Sequence, residues 1–418
     1  MDNIAYKERD IEKIKIQERK SIIYKVIRKI SRKIFKFREN NIQKVLVYVG
    51  VCTQDEYFNL VNKFLFAFPY KEDFKIDIYL SKKLDFEFND KYKLKFQRNY
   101  LNSQKNHIGI VHKYSDSNYD LVLIKSFSNI NKFLFKIHKT AIIDENFFSV
   151  DESAVYQNYY YFAFTKKEQE IFYQKSIENY KKFYEKNKHK KKSYAFVTGP
   201  SFDSYADFTY ETNSLKVICN SVVKNDDFLE YIEGPDILVF ADPVFHFSSC
   251  EYSAAFRDNV MDVVEKYKCF VMVPFKTVPL LLQHYPKLEA YIIGMHSFNE
   301  YNFPSVEKFY TKGSANILTL YMLPVASAIA DKVFVLGADG RDPDEKYFWK
   351  HSSSAQYDDL MNTVFETHPS FFRDRDYKDY YEEHTTFLEN LIEFGEKNNK
   401  EYYSLTKSHF KCLQSRIC

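Results

Sequence analysis

Glycine is scarce in this chain. Nine occur in 418 residues (Gly50, Gly109, Gly199, Gly234, Gly294, Gly313, Gly337, Gly340 and Gly395), where an average usage of roughly 7% would give about three times as many. No pair has phosphate-loop spacing and no trio reads GxGxxG, so phosphate-loop nucleotide hydrolases and ordinary dinucleotide-binding dehydrogenases are not expected. Cysteine is also sparse: the six residues include no CxxC pair and no regular spacing, which predicts a reduced, cytoplasmic, metal-free protein. Long apolar runs are missing too. The best candidate, residues 317–330, falls short of the ~18 residues a spanning helix needs and contains Pro324. Lys and Arg interrupt the first apolar cluster throughout, so no signal peptide is expected at the front.

What is present is apolar and aromatic. Forty Phe and 35 Tyr, with hydrophobic residues at 45%, rule out a disordered chain, and the length suits two or three domains. The net charge of +3 conceals an asymmetry. Residues 1–48 hold fourteen Lys/Arg against six Asp/Glu, a balance of +8, which leaves the other 370 residues at −5. Within residues 20–38 there are eight cations and no acid, while Ile22, Ile23, Val26, Ile27, Ile30, Ile34 and Phe37 recur at helical steps. The pattern predicts a basic amphipathic helix over residues 1–42. It suits peripheral docking on an anionic membrane surface, or a helix packed on the protein's own core with a solvated Lys face. Nucleic acid is not an expected partner, because the remainder is net acidic and has no continuous basic track.

Residues 43–164 read as a small α/β domain of unassigned role. Its strands fall at 44–49, 75–80, 120–124 and 140–143. A connecting helix spans 165–192, opened by a Thr165/Glu168 capping box and closed by a lysine cluster. Residues 193–418 alternate again, with strands at 193–198, 216–219, 236–240, 269–273, 332–336 and 402–405, a buried helix at 317–330 and another at 379–398. The fold class expected is α/β, with two Rossmann-like domains behind the basic helix, the second a doubly wound sheet whose ligand sits beyond the carboxyl ends of its strands.

The polar residues at those ends carry the chemistry. Gly199, Pro200 and Ser201 form a turn whose amides and hydroxyl suit a phosphate or ribose. Asn220 has both donor and acceptor for a base or sugar edge, and serves equally as a cap. Asp242 ends the third strand of the half. Gly313, Ser314 and Asn316 open the apolar helix, either as an anion site or as a plain cap. Gly337, Asp339, Gly340 and Arg341, six residues before Tyr347, put a cation and a phenol where a leaving phosphate needs donors, or form a surface loop. His384 lies in DYKDYYEEHTTFLENL on an amphipathic helix with Leu388, Leu391 and Ile392; it has the chemistry of a general base, with Glu382 or Glu383 near enough to raise its basicity, or is structural. Asp374 and Asp376 match a loose DxD that any acidic loop would also match.

Taken in order, these elements resemble the bacterial lipooligosaccharide sialyltransferases, and more loosely the motility accessory factor sugar transferases, over residues 193–418 only. The resemblance runs through Val197-Thr-Gly-Pro-Ser201, Cys219-Asn220, Asp242-Pro243, Lys312-Gly-Ser-Ala-Asn316, Gly337-Ala-Asp-Gly-Arg341 and His384 before Leu388-Glu389. It implies a modified GT-A fold using a CMP-activated sugar as donor substrate, with no cofactor and no essential metal, and inverting at the anomeric carbon. His384 would be the base on the acceptor hydroxyl, with Ser201, Asn220 and Ser314 on the nucleotide. Arg341 and Tyr347 would stand where the family has two tyrosines on the leaving phosphate. Arginine for tyrosine there leaves the identity of the donor open, while Asp242 for asparagine and the added N-terminal α/β domain point to another acceptor or another acidic sugar; the acceptor implied is a surface glycan or glycolipid. Two alternatives stand beside this: transfer of a non-sugar group to a glycan, and non-catalytic binding of nucleotide or glycan.

Overall fold

The computed structural model describes Ile22, Ile23, Val26, Ile27, Ile30 and residues 41–68, 71, 73–82, 108–143, 152–340, 351–367 and 377–418. Arg341, Tyr347, Asp374 and Asp376 lie outside them. The chain divides into two compact units. The first takes in Met1–Gln169, Pro243–Ala254 and Met361–Arg375; the second takes in Glu170–Asp242, Ala255–Leu360 and Asp376–Cys418.

The first unit is built on a five-stranded parallel sheet. Its strands are β1 (Lys44–Gly50), β2 (Lys75–Leu80), β3 (Ile108–Val111), β4 (Leu121–Ile124) and β5 (Thr140–Ile142), in the order β3-β2-β1-β4-β5. The central strands read KVLVYVG and LVLI because both their faces are covered, as parallel sheets require. KIDIYL alternates instead, and its burial alternates with it. After β1 the helix Gln54–Ala67 starts from a Thr53/Glu56 capping box, in which each residue's side chain bonds the other's backbone amide.

The second unit holds an eight-stranded parallel sheet. Its strands are β6 (Lys192–Phe196), β7 (Leu215–Cys219), β8 (Ile237–Val239), β9 (Phe270–Pro274), β10 (Ile292–Phe298), β11 (Tyr310–Lys312), β12 (Lys332–Leu336) and β13 (Glu401–Ser404). The spatial order is β11-β10-β9-β8-β7-β6-β12-β13. The chain therefore winds outward from β6 to one edge, then crosses to the other side of β6 to lay down β12 and β13. That reversal is the topological switch point, where adjacent crossovers run to opposite sides and leave a crevice beyond the carboxyl ends of β6 and β12.

The helix Lys166–Asn187 begins as expected. Thr165 N donates to Glu168 Oε2 at 2.6 Å and Glu168 N donates to Thr165 Oγ1 at 3.3 Å. The expected helix at 317–330 is a wide π-helical turn, Leu318–Met322, continued by the α-helix Leu323–Ile329, and nearly all of it is buried. Pro324 follows directly on the π-helical turn within one continuous helical run, so its missing N–H interrupts the intrahelical ladder just where the wide turn gives way to α-helix. The helix Tyr377–Lys397 buries Leu388, Leu391 and Ile392 in the same core as Tyr402, Phe410 and Leu413. Full burial of such side chains is worth ~1.5–3 kcal/mol each.

Candidate functional site

The switch point gathers residues from three strand ends. After β6, the turn of Gly199, Pro200 and Ser201 opens a 3₁₀ stretch, Pro200–Asp207. Gly199 N donates to Gly337 O at 3.0 Å and Ser201 N donates to Asp339 Oδ2 at 3.1 Å, so these two amides, expected to face a phosphate, are taken up in joining the two loops. The two loops touch so closely that a Cβ on Gly199 would overlap Asp339 Oδ2 and Gly337 O. Gly337 itself has φ +82°, and a Cβ there would overlap the Val197 carbonyl. Only glycine fits at either place.

The segment after β13 forms the third wall. Thr406 Oγ1 and Ser201 Oγ are 2.8 Å apart, Ser408 Oγ donates to Ala338 O at 2.7 Å, and His409 N donates to Asp339 O at 2.6 Å. Residues 351–354 close the side toward β7. Ser352 N donates to Thr198 O at 2.8 Å, and His351 Nδ1 is 3.1 Å from Thr198 Oγ1. The Asp203 carboxylate accepts from the hydroxyls of Ser352, Ser353 and Ser354 and from Ser353 N. Burial alone would raise the Asp203 carboxyl, but the serine hydrogen bonds outweigh it and hold the group below the usual carboxylate range.

Asn220 follows β7 with φ +47°, uncommon for a residue with a Cβ, and its buried Oδ1 has no hydrogen-bond partner. A buried acceptor left open costs ~1–3 kcal/mol and invites a donor. Asp242, half-buried, lies past the end of β8, the next strand along.

The turn of Gly313, Ser314 and Asn316 is connected through the helix Tyr377–Lys397. Tyr380 Oη donates to Ala315 O at 2.9 Å, while the next residue, Tyr381, places its hydroxyl 3.2 Å from where a Gly340 Cβ would stand. Asn316, rather than Ser314, caps the following turn: Asn316 Oδ1 accepts from Leu318 N at 2.9 Å. Ser314 Oγ accepts from Asn316 N at 3.3 Å and pairs with Thr319 Oγ1 at 2.7 Å.

His384 sits one turn beyond Tyr380 and Tyr381, on the buried stripe with Leu388. It is 4% exposed and stands edge-on to Phe410, ring centres 5.2 Å apart. Burial alone pushes its imidazole down to about 4. The expected rise from Glu382 or Glu383 does not prevail, because desolvation disfavours the imidazolium and sets the direction of the shift.

The structure thus brings Gly199, Pro200, Ser201, Asp339 and Gly340 together at one crevice. Asn220 lies at the adjacent strand end, and the turn carrying Ser314 and Asn316 at a neighbouring helix start. Sequence reading missed Asp203, Thr406, Ser408, His409, Tyr380 and Tyr381. The run Ser352-Ser353-Ser354 was visible, but nothing in the sequence ties it to Asp203. Among the described residues, no group of three His, Cys, Asp or Glu side chains is arranged to hold a metal ion.

The corresponding crevice of the first unit, between β1 and β4, has its helix start filled by the Glu56 carboxylate, which also pairs with Lys125 at 3.2 Å. Five apolar positions of the basic segment, Ile22, Ile23, Val26, Ile27 and Ile30, are helical and exposed, by 40% to 59%. Among the described residues no helix is long and apolar enough to cross a membrane. Comparison of the chain with protein families, with curated proteins and with solved structures finds no match.

Proposed function

We propose that the second unit is a nucleotide-sugar-dependent glycosyltransferase of modified GT-A type. It would transfer an acidic sugar from a CMP-linked donor, with inversion and without an essential metal, to a surface glycan such as lipooligosaccharide or capsule. The observation that carries the reading is the meeting of Gly199, Ser201 and Asp339 at the reversal of strand order between β6 and β12. That is the place where parallel α/β sheets bind nucleotides. Asn220 supplies an open acceptor beside it, suited to an amino group of a base or a ribose hydroxyl. The exposed isoleucines among the cations of residues 20–38 would hold the protein peripherally at the inner face of an anionic membrane, where lipid-borne acceptors lie.

A second reading, non-catalytic binding of nucleotide or glycan, is favoured by one observation: His384 is buried beside Leu388 rather than presented to solvent. Nucleotide release from a panel of CMP- and UDP-sugars, with and without glycan acceptor, separates the two. The transferase reading expects release from at least one donor, accelerated by acceptor. Binding without release from any donor supports the second reading.

A further inference from the structure

We infer that His409, rather than His384, is the group that takes the acceptor's proton, an inference that rests on the transferase reading. Three contacts fix its place. Ser408 is bonded to Ala338, the His409 amide to Asp339, and Phe410 is buried against Tyr381, ring centres 5.5 Å apart. Ser408 and Phe410 both point inward, so the intervening side chain is turned out. His409 is exposed, and its Cβ lies 3.3 Å from where a Cβ of Gly340 would stand. Two residues earlier in the same strap comes exposed Lys407, preceded by Thr406, which meets Ser201. Among the described residues, the titratable groups on the elements packed about His409 are Asp339 on the loop after β12, Tyr381 and His384 on the helix, and Lys407 and Lys411 in its own segment. Among the described residues no hydrogen bond holds its imidazole, whereas the ring of His384 is enclosed behind Phe410. A general base must come within hydrogen-bond reach of the proton it removes. Exposed beside Gly340, the His409 side chain is open to an acceptor at the crevice mouth, whereas that of His384 is not.

In the step so assigned, the acceptor hydroxyl oxygen bonds to the anomeric carbon as its proton passes to the His409 imidazole. The bond from that carbon to the nucleotide's phosphate oxygen breaks, and its electron pair leaves with the phosphate. The imidazolium then returns the proton to water.

The test is steady-state transfer by the full chain from the donor that it consumes, as a function of pH, for wild type, His409→Gln and His384→Gln. Circular dichroism serves as the check on folding. His409→Gln should lower kcat about 10²–10⁴-fold, move KM for the donor less than threefold, and abolish the acid limb of the kcat/KM profile. Folded His384→Gln should keep kcat within a few-fold. A His409→Gln enzyme with wild-type kcat and an intact acid limb overturns the inference while leaving the transferase reading standing. Wild type inert toward every donor overturns both.

Discussion

Single residues set the tolerance of the crevice. Gly337 combines φ +82° with a Cβ direction blocked by the Val197 carbonyl, so Gly337→Ala should destabilise the protein by ~1–3 kcal/mol or more, read as a lowered urea midpoint at unchanged m. A loss under ~0.5 kcal/mol would mean that the β6 and β12 loops do not meet as described. Asn220 behaves oppositely. Replacing it by glycine relieves a left-handed backbone and removes an open buried acceptor, so Asn220→Gly should leave stability unchanged or raise it slightly. In the proposed reading it weakens nucleotide binding about tenfold, or ~1.4 kcal/mol by calorimetry. His384 governs an acid response. Its folded pKa of about 4 lies below the ordinary 6.5, so the native state binds fewer protons than the unfolded chain between those values. Its contribution is fully present above pH 6.5 and is lost as pH falls toward 4, by about 3 kcal/mol at ~1.4 kcal/mol per pKa unit. His384→Phe should flatten the urea-midpoint profile across that window, and an unchanged slope would show that the imidazole is solvated.

At the scale of elements, legibility followed burial. The runs KVLVYV, LVLI and LKVIC announce themselves because parallel strands covered on both faces need continuous apolar sequence. The Thr165/Glu168 box is local chemistry and is equally readable. Strand β3 carries IGIV, too short and too glycine-containing to register. β10 ends in HSF and β11 is only the three residues YTK, polar or aromatic stretches that read as loop. Of the site, the turn at Gly199 and the loop at Asp339 were visible as strand ends. The strap from Thr406 to Phe410 was not, because only the pairing of β12 with β13 brings it there. The basic segment makes a separate prediction. With Ile22, Ile23, Val26, Ile27 and Ile30 exposed among cations, the protein should float with vesicles containing phosphatidylglycerol and remain behind with phosphatidylcholine alone. Ile23→Glu with Ile27→Glu should abolish flotation without altering nucleotide binding. No flotation with either vesicle type would remove the membrane from the account.

For the whole molecule, the few glycines are unevenly spent. Only Gly50 and Gly109 precede residue 193. The second unit has the reversal of strand order, the close approach of two loops and the open Asn220 acceptor within one sheet end. The proposed function therefore rests on that crevice. A crystal structure of the full chain soaked with CMP tests it most directly. The account predicts ordered nucleotide beyond the carboxyl ends of β6 and β12, within hydrogen-bond distance of the turn of Gly199 and Ser201, of Asp339 or of Asn220. Nucleotide ordered elsewhere, or a crevice without nucleotide at saturating CMP, would contradict it.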